Sequence, residues 1–289
     1  MTSDIPAYPP GFPPIRSLAD RVPLTNGTSM PRLGLGTYRS ADGAEVEHEV
    51  SFALELGYRG IDTASLYGNE VGVGRAIAAS GIAREELFVA TKVWNDEQGY
   101  EGTLAAFERS LGRLGMDYVD LYLIHWAIPG LMADTWRAME ELHHSGRTKA
   151  IGVCNFLVHH LDELSAIAEV PPTVDQVEHH PYFQQPALRG YCHEHGIVLQ
   201  AWAPVMRGRV YDVPEIVEIA ERHGVTPAQV SIRWILQHGV TTIPKSVHDD
   251  RIRQNADVFG FELTAEEMAA MDALDRAERL GPDPDRFSR

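Results

Sequence analysis

Short apolar runs punctuate this chain at Arg32–Leu35, Gly60–Thr63, Leu87–Lys92, Val119–His125, Ala150–Cys154, Val174–Glu178, Val198–Trp202 and Thr242–Pro244. Between them lie longer stretches in which apolar residues return every three or four positions, as in Gly43–Leu56 and Gly102–Leu114. The first pattern is that of buried strands and the second that of amphipathic helices. Punctuation agrees with both. Asp134 and Thr226-Pro227 read as helix starts, and Gly57, Gly81, Gly146 and Gly196 follow predicted helix ends. Asn26-Gly27, between two short apolar segments, predicts a tight hairpin ahead of the first strand.

Eight strands alternating with helices, with no break in composition, predict one (β/α)8 TIM barrel. The length of 289 residues suits it. A doubly wound sheet is the competing architecture, but no Gly-x-Gly-x-x-Gly follows the first strand. Gly72-Val73-Gly74 falls inside a predicted helix and reads as a close-packing feature. The domain is expected to span 21–289, with C-terminal loops around the active site. Residues 1–20 (MTSDIPAYPPGFPPIRSLAD) read as a proline-rich, poorly ordered extension without the apolar core of an export signal.

The net charge of −16 argues against nucleic acid or an anionic membrane as partner, so an anionic ligand must meet a local basic cluster. No apolar run approaches the roughly 18 residues of a membrane span. Cys154 and Cys192 lie in apolar segments and read as buried, reduced thiols of a cytoplasmic protein. Monomer is the expected state.

In a barrel, chemistry belongs at the C-terminal ends of the strands. Asp62, Lys92 and His125 fall at such ends, and Tyr67 falls in the loop just after one. Each alone has an ordinary reading: a helix cap, a strand-end cation, a core histidine, a packing tyrosine. Together they form a proton-donor set. A tyrosine serves as a general acid near neutral pH only if a cation lowers its pKa, normally about 10. Lys92 and His125 are available to do so, and Asp62 to hold Lys92. No metal site is expected. In the pairs His143-His144, His159-His160 and His179-His180, neighbouring side chains on a helix or strand should point apart.

The segments GIDTASLYGNE, ATKVW, LYLIHW, IGVCNF, DQVEHHPY and IPKSVHDDRIRQN resemble, in order, the recurring signatures of the aldo-keto reductase superfamily. The resemblance runs from about Val22 to about Leu274 and is closest to the bacterial branch that includes 2,5-diketo-D-gluconate reductases. It implies an NADPH-dependent reductase of aldehydes and ketones, with NADH as a weaker alternative. Asp62, Tyr67, Lys92 and His125 then match the catalytic tetrad, with Tyr67 as proton donor. Asn155 and Gln176 would hold the nicotinamide carboxamide, and Trp202 would stack on its ring. Gly36, Thr37, Tyr38, Asp62, Ala203, Val205 and Val247 would line the cofactor. Lys245, Ser246 and Arg251 would meet its 2′-phosphate, and Asn255 the adenine. Cys154 and Ala203 stand where the family usually has serines. His248 and Asp249 depart from its more basic pattern, which weakens the expected NADPH preference. Tyr38, Tyr67, Trp94, His125 and Trp126 would contact the carbonyl substrate. A diketo-sugar acid, an α-keto ester and a xenobiotic carbonyl all remain open. So do two other classes: a non-catalytic NADPH-binding or sensor protein on the same fold, and a barrel hydrolase or lyase using Asp62 and Glu178.

Overall fold

Barrel strands buried on both faces must be apolar along their length, and such strands organise the computed structural model, which describes residues 14–287. A hairpin of β1 (Arg21–Pro23) and β2 (Ser29–Pro31) comes first. The barrel strands follow: β3 (Leu35–Gly36), β4 (Gly60–Asp62), β5 (Phe88–Val93), β6 (Val119–Ile124), β7 (Thr148–Cys154), β8 (Val174–Glu178), β9 (Val198–Trp202) and β10 (Thr241–Thr242). The helices are α1 (Ala44–Glu55), α2 (Glu70–Ala79), α3 (Tyr100–Leu114), α4 (Met132–His144), α5 (Val158–Ser165), α6 (Pro186–Glu194), α7 (Pro214–His223), α8 (Pro227–Gln237), α9 (Asp249–Ala256) and α10 (Ala265–Asp272).

Neighbouring barrel strands pair in parallel, in chain order from β3 to β10. A parallel bridge between Leu33 and Thr242 joins the two ends of the sheet. Two backbone bonds reinforce it, from the Gly34 amide to the Thr242 carbonyl (2.9 Å) and from the Thr242 amide to the Arg32 carbonyl (3.0 Å). The expected eight-stranded (β/α)8 barrel is therefore the fold.

Inside the barrel, Phe88, Ala90, Leu121, Leu123, Ala150, Val174 and Val198 pack in one cluster with Val22, Leu24 and Met30 of the hairpin. Phe88, Val174 and Val198 begin their strands, so the hairpin plugs the N-terminal end and leaves the other end for ligands. The hairpin turn is longer than its Asn-Gly pair suggests. Pro23 pairs with Ser29, and only Gly27 of the dipeptide has a positive φ (84°). Asn26 instead uses its side chain. Its oxygen accepts from the Thr28 amide, and its nitrogen donates to the Lys149 carbonyl at 2.9 Å, which pins the hairpin to β7.

Two further expectations change. Asp134 lies within the first turn of α4, whose preceding residue is Leu131. Of the extension at 1–20, residues 1–13 lie outside the described residues. Ile15 is buried in the main core and its carbonyl accepts from Arg233 of α8, so 14–20 belong to the packed body. No helix among the described residues is long and apolar enough to cross a membrane.

The glycines of α2 act as the sequence suggests. A Cβ on Gly72 would lie 2.4 Å from Val46, and one on Gly74 would lie 2.2 Å from the Leu114 carbonyl oxygen. The second clash is with backbone, which cannot step aside. Gly74→Ala should destabilise the fold by about 1–3 kcal/mol, seen as a lower urea midpoint with an unchanged denaturant slope.

Candidate active site

Backbone pairing at the open end of the barrel sets the reactive side chains. Asp62 closes β4, Lys92 lies in β5, and the His125 amide extends the β5–β6 ladder by donating to Val93. Tyr67 ends a single turn of tight helix, Ser65–Tyr67, stopped by Gly68 in the left-handed conformation (φ 67°). Lys92 is fully buried, so its ammonium needs partners on every side. It donates to Asp62 Oδ1 (2.6 Å), the Thr63 carbonyl (2.8 Å) and the Tyr67 hydroxyl (3.3 Å). The four residues expected to act together are thus brought together. The Tyr67 ring meets the His125 ring edge-on at 5.8 Å, and Trp94 meets His125 at 5.0 Å.

Burial opposes the charge on Lys92, but Asp62, Tyr67 and Cys154 together outweigh this and raise its pKa. Burial drives His125 well below the ordinary imidazole range and Lys92 pushes it the same way, so His125 is neutral. Tyr67 differs from the expectation. Burial raises its hydroxyl pKa, and the opposing pull of Lys92 does not overcome it. The phenol therefore holds its proton in the protein alone. Burial likewise keeps Cys154 a thiol, which donates to Gln176 Oε1 at 3.3 Å.

Gln176 is more engaged than expected. Its amide nitrogen donates to Asp62 Oδ2 (2.7 Å) and to Gln200 (2.8 Å), so it orients the carboxylate that holds Lys92. Asn155 sits with φ 59°, a conformation asparagine tolerates better than most residues. It donates to the His125 carbonyl (3.0 Å) and accepts from the Trp202 indole nitrogen (2.9 Å).

Above this floor opens a cavity of about 440 Å³. Gly36, Tyr38, Asp62, Tyr67, Trp94, His125, Trp126, Asn155, Gln176, Trp202, Ala203, Val205 and Lys245 all line it, as expected of cofactor and substrate residues. Lys92 lies beneath, and Thr37 is buried behind, donating to the Asp62 carbonyl at 3.0 Å. Ser246, Val247, Arg251 and Asn255 do not line this cavity. They lie where β10 leads into α9, beside Lys245, and Ser246 Oγ accepts from the His248 amide at 3.1 Å. Asp249 is paired with His48 (2.8 Å).

Sequence reasoning missed Arg39 and Arg207. Both line the cavity with exposed side chains, and neither has a carboxylate partner among the described residues. In a chain of 41 acidic and 25 basic residues, unpaired cations converging on one cavity are a donor set for a polyanion. Both sit in left-handed turns (φ 65° and 54°) that no local motif announces. Asn69 was also missed. It is fully buried and ties the Thr37 and Ser40 carbonyls to Thr63, joining the loops after β3 and β4. Glu178, the candidate acid of a hydrolase, is committed elsewhere: its carboxylate accepts from His180 and from the Gly281 amide. One histidine pair departs from expectation. The His159 and His160 rings lie 4.0 Å apart, tilted at 45°, and gather with Asp285, their ligand atoms within 4.8 Å of one another.

Residues 32–276 match the model of the aldo/keto reductase family, and the chain belongs to that family. It is an NADP-dependent oxidoreductase on a (β/α)8 barrel. It is 55% identical to a glyoxal reductase of Bacillus subtilis over 269 residues, covering 93% of this chain and 98% of that protein. A 9,11-endoperoxide prostaglandin H2 reductase of Trypanosoma cruzi is 51% identical, with 92% and 95% covered. A crystal structure of a Gox0644 mutant in complex with NADPH superposes with a TM-score of 0.89 at 45% identity, covering 93% of this chain and 99% of that one.

The neutral, buried His125 gives stability a definite pH dependence. Unfolded histidine titrates near 6.5. Above that pH neither state is protonated and the full stability is present. Below it the unfolded chain takes up a proton that the folded chain refuses. Stability should therefore fall by about 1.4 kcal/mol per pH unit for each such group. His179 is depressed in the same way, first by burial and then by Arg189. Urea denaturation between about pH 6.5 and 5.5 should show this slope, and His125→Gln should reduce it by one histidine's share.

Proposed function

We propose that this enzyme reduces small aldehydes and ketones, α-oxoaldehydes and α-diketones foremost, with NADPH as reductant and Tyr67 as proton donor. The observation that carries this reading is the Tyr67 hydroxyl 3.3 Å from a buried lysine that is itself locked to Asp62 at 2.6 Å. NADPH, when bound, supplies the hydride. What the protein must add is a place for the negative charge that develops on the carbonyl oxygen. Tyr67 holds its proton until that charge appears. Lys92 then stabilises the phenolate left behind, and Asp62 and Gln176 keep Lys92 aimed. His125, neutral, orients the carbonyl by a hydrogen bond. A protein acid in this role requires no metal.

The cavity fits a dinucleotide in its donor set. Trp202 and Asn155, bonded to each other, suit the nicotinamide ring and its carboxamide. Gln176 has its amide donors committed, so that contact falls to a second lone pair on its oxygen, beside the Cys154 thiol. Arg39, Arg207 and Lys245 suit the phosphates. Arg251 and Ser246 at the start of α9, with Val247 and Asn255 near them, suit the adenosine end and its 2′-phosphate. The link from Asp249 to His48 at 2.8 Å draws one carboxylate away from that end and supports NADPH over NADH. The relative named for glyoxal, and a mouth built from Tyr38, Trp94 and Trp126, favour compact dicarbonyls. The enzyme is proposed to act as a monomer. Buried thiols support a reducing compartment such as the cytoplasm.

Tyr67→Phe should lower the reduction rate of a dicarbonyl by about 10²–10⁴-fold while NADPH still quenches tryptophan fluorescence at nearly unchanged concentration. Near-normal turnover would assign the proton to another group. Arg251→Ala should weaken NADPH by about tenfold, the lower range for a hydrogen bond to a charged group, and leave NADH almost untouched. Equal losses for both coenzymes would place Arg251 outside the 2′-phosphate site.

A further inference from the structure

The chain beyond α10 runs back across the open end of the barrel. After the Arg276 and Glu278 amides have bonded to the Tyr182 carbonyl, it is held by Glu178, almost fully buried at the end of β8, which accepts from the Leu280 and Gly281 amides. Here the tail lies on Trp202 so closely that a Cβ on Gly281 would come within 2.5 Å of the indole. Its next hold is Asp285. One oxygen of Asp285 is 3.0 Å from His159 Nε2 and 3.5 Å from His160 Nε2. Two residues later the Phe287 ring lies 4.3 Å from Trp126 and 6.2 Å from Trp94, on the cavity.

The chemistry of the histidine pair is that of a donor to Asp285. The Leu157 amide donates to His160 Nδ1 at 3.1 Å, and this bond belongs to the cap of α5. With Nδ1 accepting, neutral His160 carries its proton on Nε2, the atom facing Asp285. A metal on Nε2 would need the proton moved to Nδ1, against the Leu157 N–H. Burial, with help from His159, lowers the His160 pKa, which favours the same neutral form.

We infer that His159 and His160 are positioning residues for the substrate pocket: they hold Asp285 and through it seat Phe287 against Trp94 and Trp126 as a movable wall. A chain advances at most about 7 Å in two residues, so fixing Asp285 confines Phe287. The side chains of His159 and Asp285 are about half exposed, so their bond is weak and can open for exchange of ligands. Up to Gly281, by contrast, the tail is held from buried residues: the Tyr182 carbonyl accepts from the Arg276 and Glu278 amides, and Glu178 from those of Leu280 and Gly281. The wall is therefore hinged near Gly281 and latched at Asp285. The inference rests on the proposed reading of this cavity as a carbonyl-reducing site.

A double-mutant cycle tests it. Asp285→Ala, Phe287→Ala and their combination would be assayed with methylglyoxal and with a bulky aryl ketone. Asp285→Ala should raise the KM for methylglyoxal about two- to fivefold, the scale of a half-exposed polar contact. It should leave kcat and NADPH affinity nearly unchanged and raise the KM of the aryl ketone less. In the Phe287→Ala background it should have no further effect, because its action runs through that ring. His159→Ala with His160→Ala should reproduce Asp285→Ala. Additive effects of Asp285→Ala and Phe287→Ala, or an unchanged KM in Asp285→Ala, would overturn the inference. Amide hydrogen exchange gives a readout independent of turnover: exchange after Gly281 should quicken in Asp285→Ala, and an unchanged rate overturns the latch. A parent enzyme that reduces no carbonyl, with exchange still quickened in Asp285→Ala, would overturn the proposed activity and leave the latch standing.

Discussion

A lysine ammonium with no exposure to water survives only if every direction around it is occupied, and that requirement governs the open end of this barrel. Asp62 supplies the countercharge, the Thr63 carbonyl a neutral acceptor and Tyr67 the third contact. Each comes from the β4 edge or the turn after it, so the ion pair fixes the relation of two neighbouring strands. Gln176 reaches Asp62 from β8 across the barrel. The reactive tyrosine is held because the lysine needs it, and the lysine is tolerated because the aspartate is there. Removing one member leaves a buried charge without its partner, which is why stability and chemistry are hard to separate here.

The rest of the architecture presents that pair to a ligand. The hairpin fills one end of the barrel with apolar side chains, and the other end is walled by aromatic rings. The strongly acidic surface then gives the cations of the cavity a selective role. A polyanion repelled elsewhere finds Arg39, Arg207 and Lys245 along one opening.

The strands and the tetrad were legible because both are written locally. An apolar run marks each barrel strand, and a polar residue at its end marks the mouth. The weight of burial on Tyr67 was not legible. Counting nearby charges predicts a lowered pKa, yet desolvation is a property of the assembled pocket and it wins. Arg39 and Arg207 escaped notice because left-handed backbone in ordinary loops carries no residue signature, unlike the glycines after α1, α2, α4 and α6. Gln176 was read as a cofactor ligand only, since its bond to Asp62 spans 114 positions. The His159–His160 pair was expected to diverge, as neighbours on a helix do. At the start of α5 one ring is turned to cap the backbone, and both come to face Asp285.

The position of the tail has a practical meaning. The described chain ends with an aromatic ring over the pocket, while its early residues lead into the hairpin at the sealed end. A bulky label attached at Arg286 is thus tethered beside the wall that substrate must pass. Attached at Thr25 in the hairpin turn, the same label sits at the sealed end, away from the chemistry. Two labelled preparations of one sequence, differing only in which end of the barrel carries the label, need not report the same selectivity.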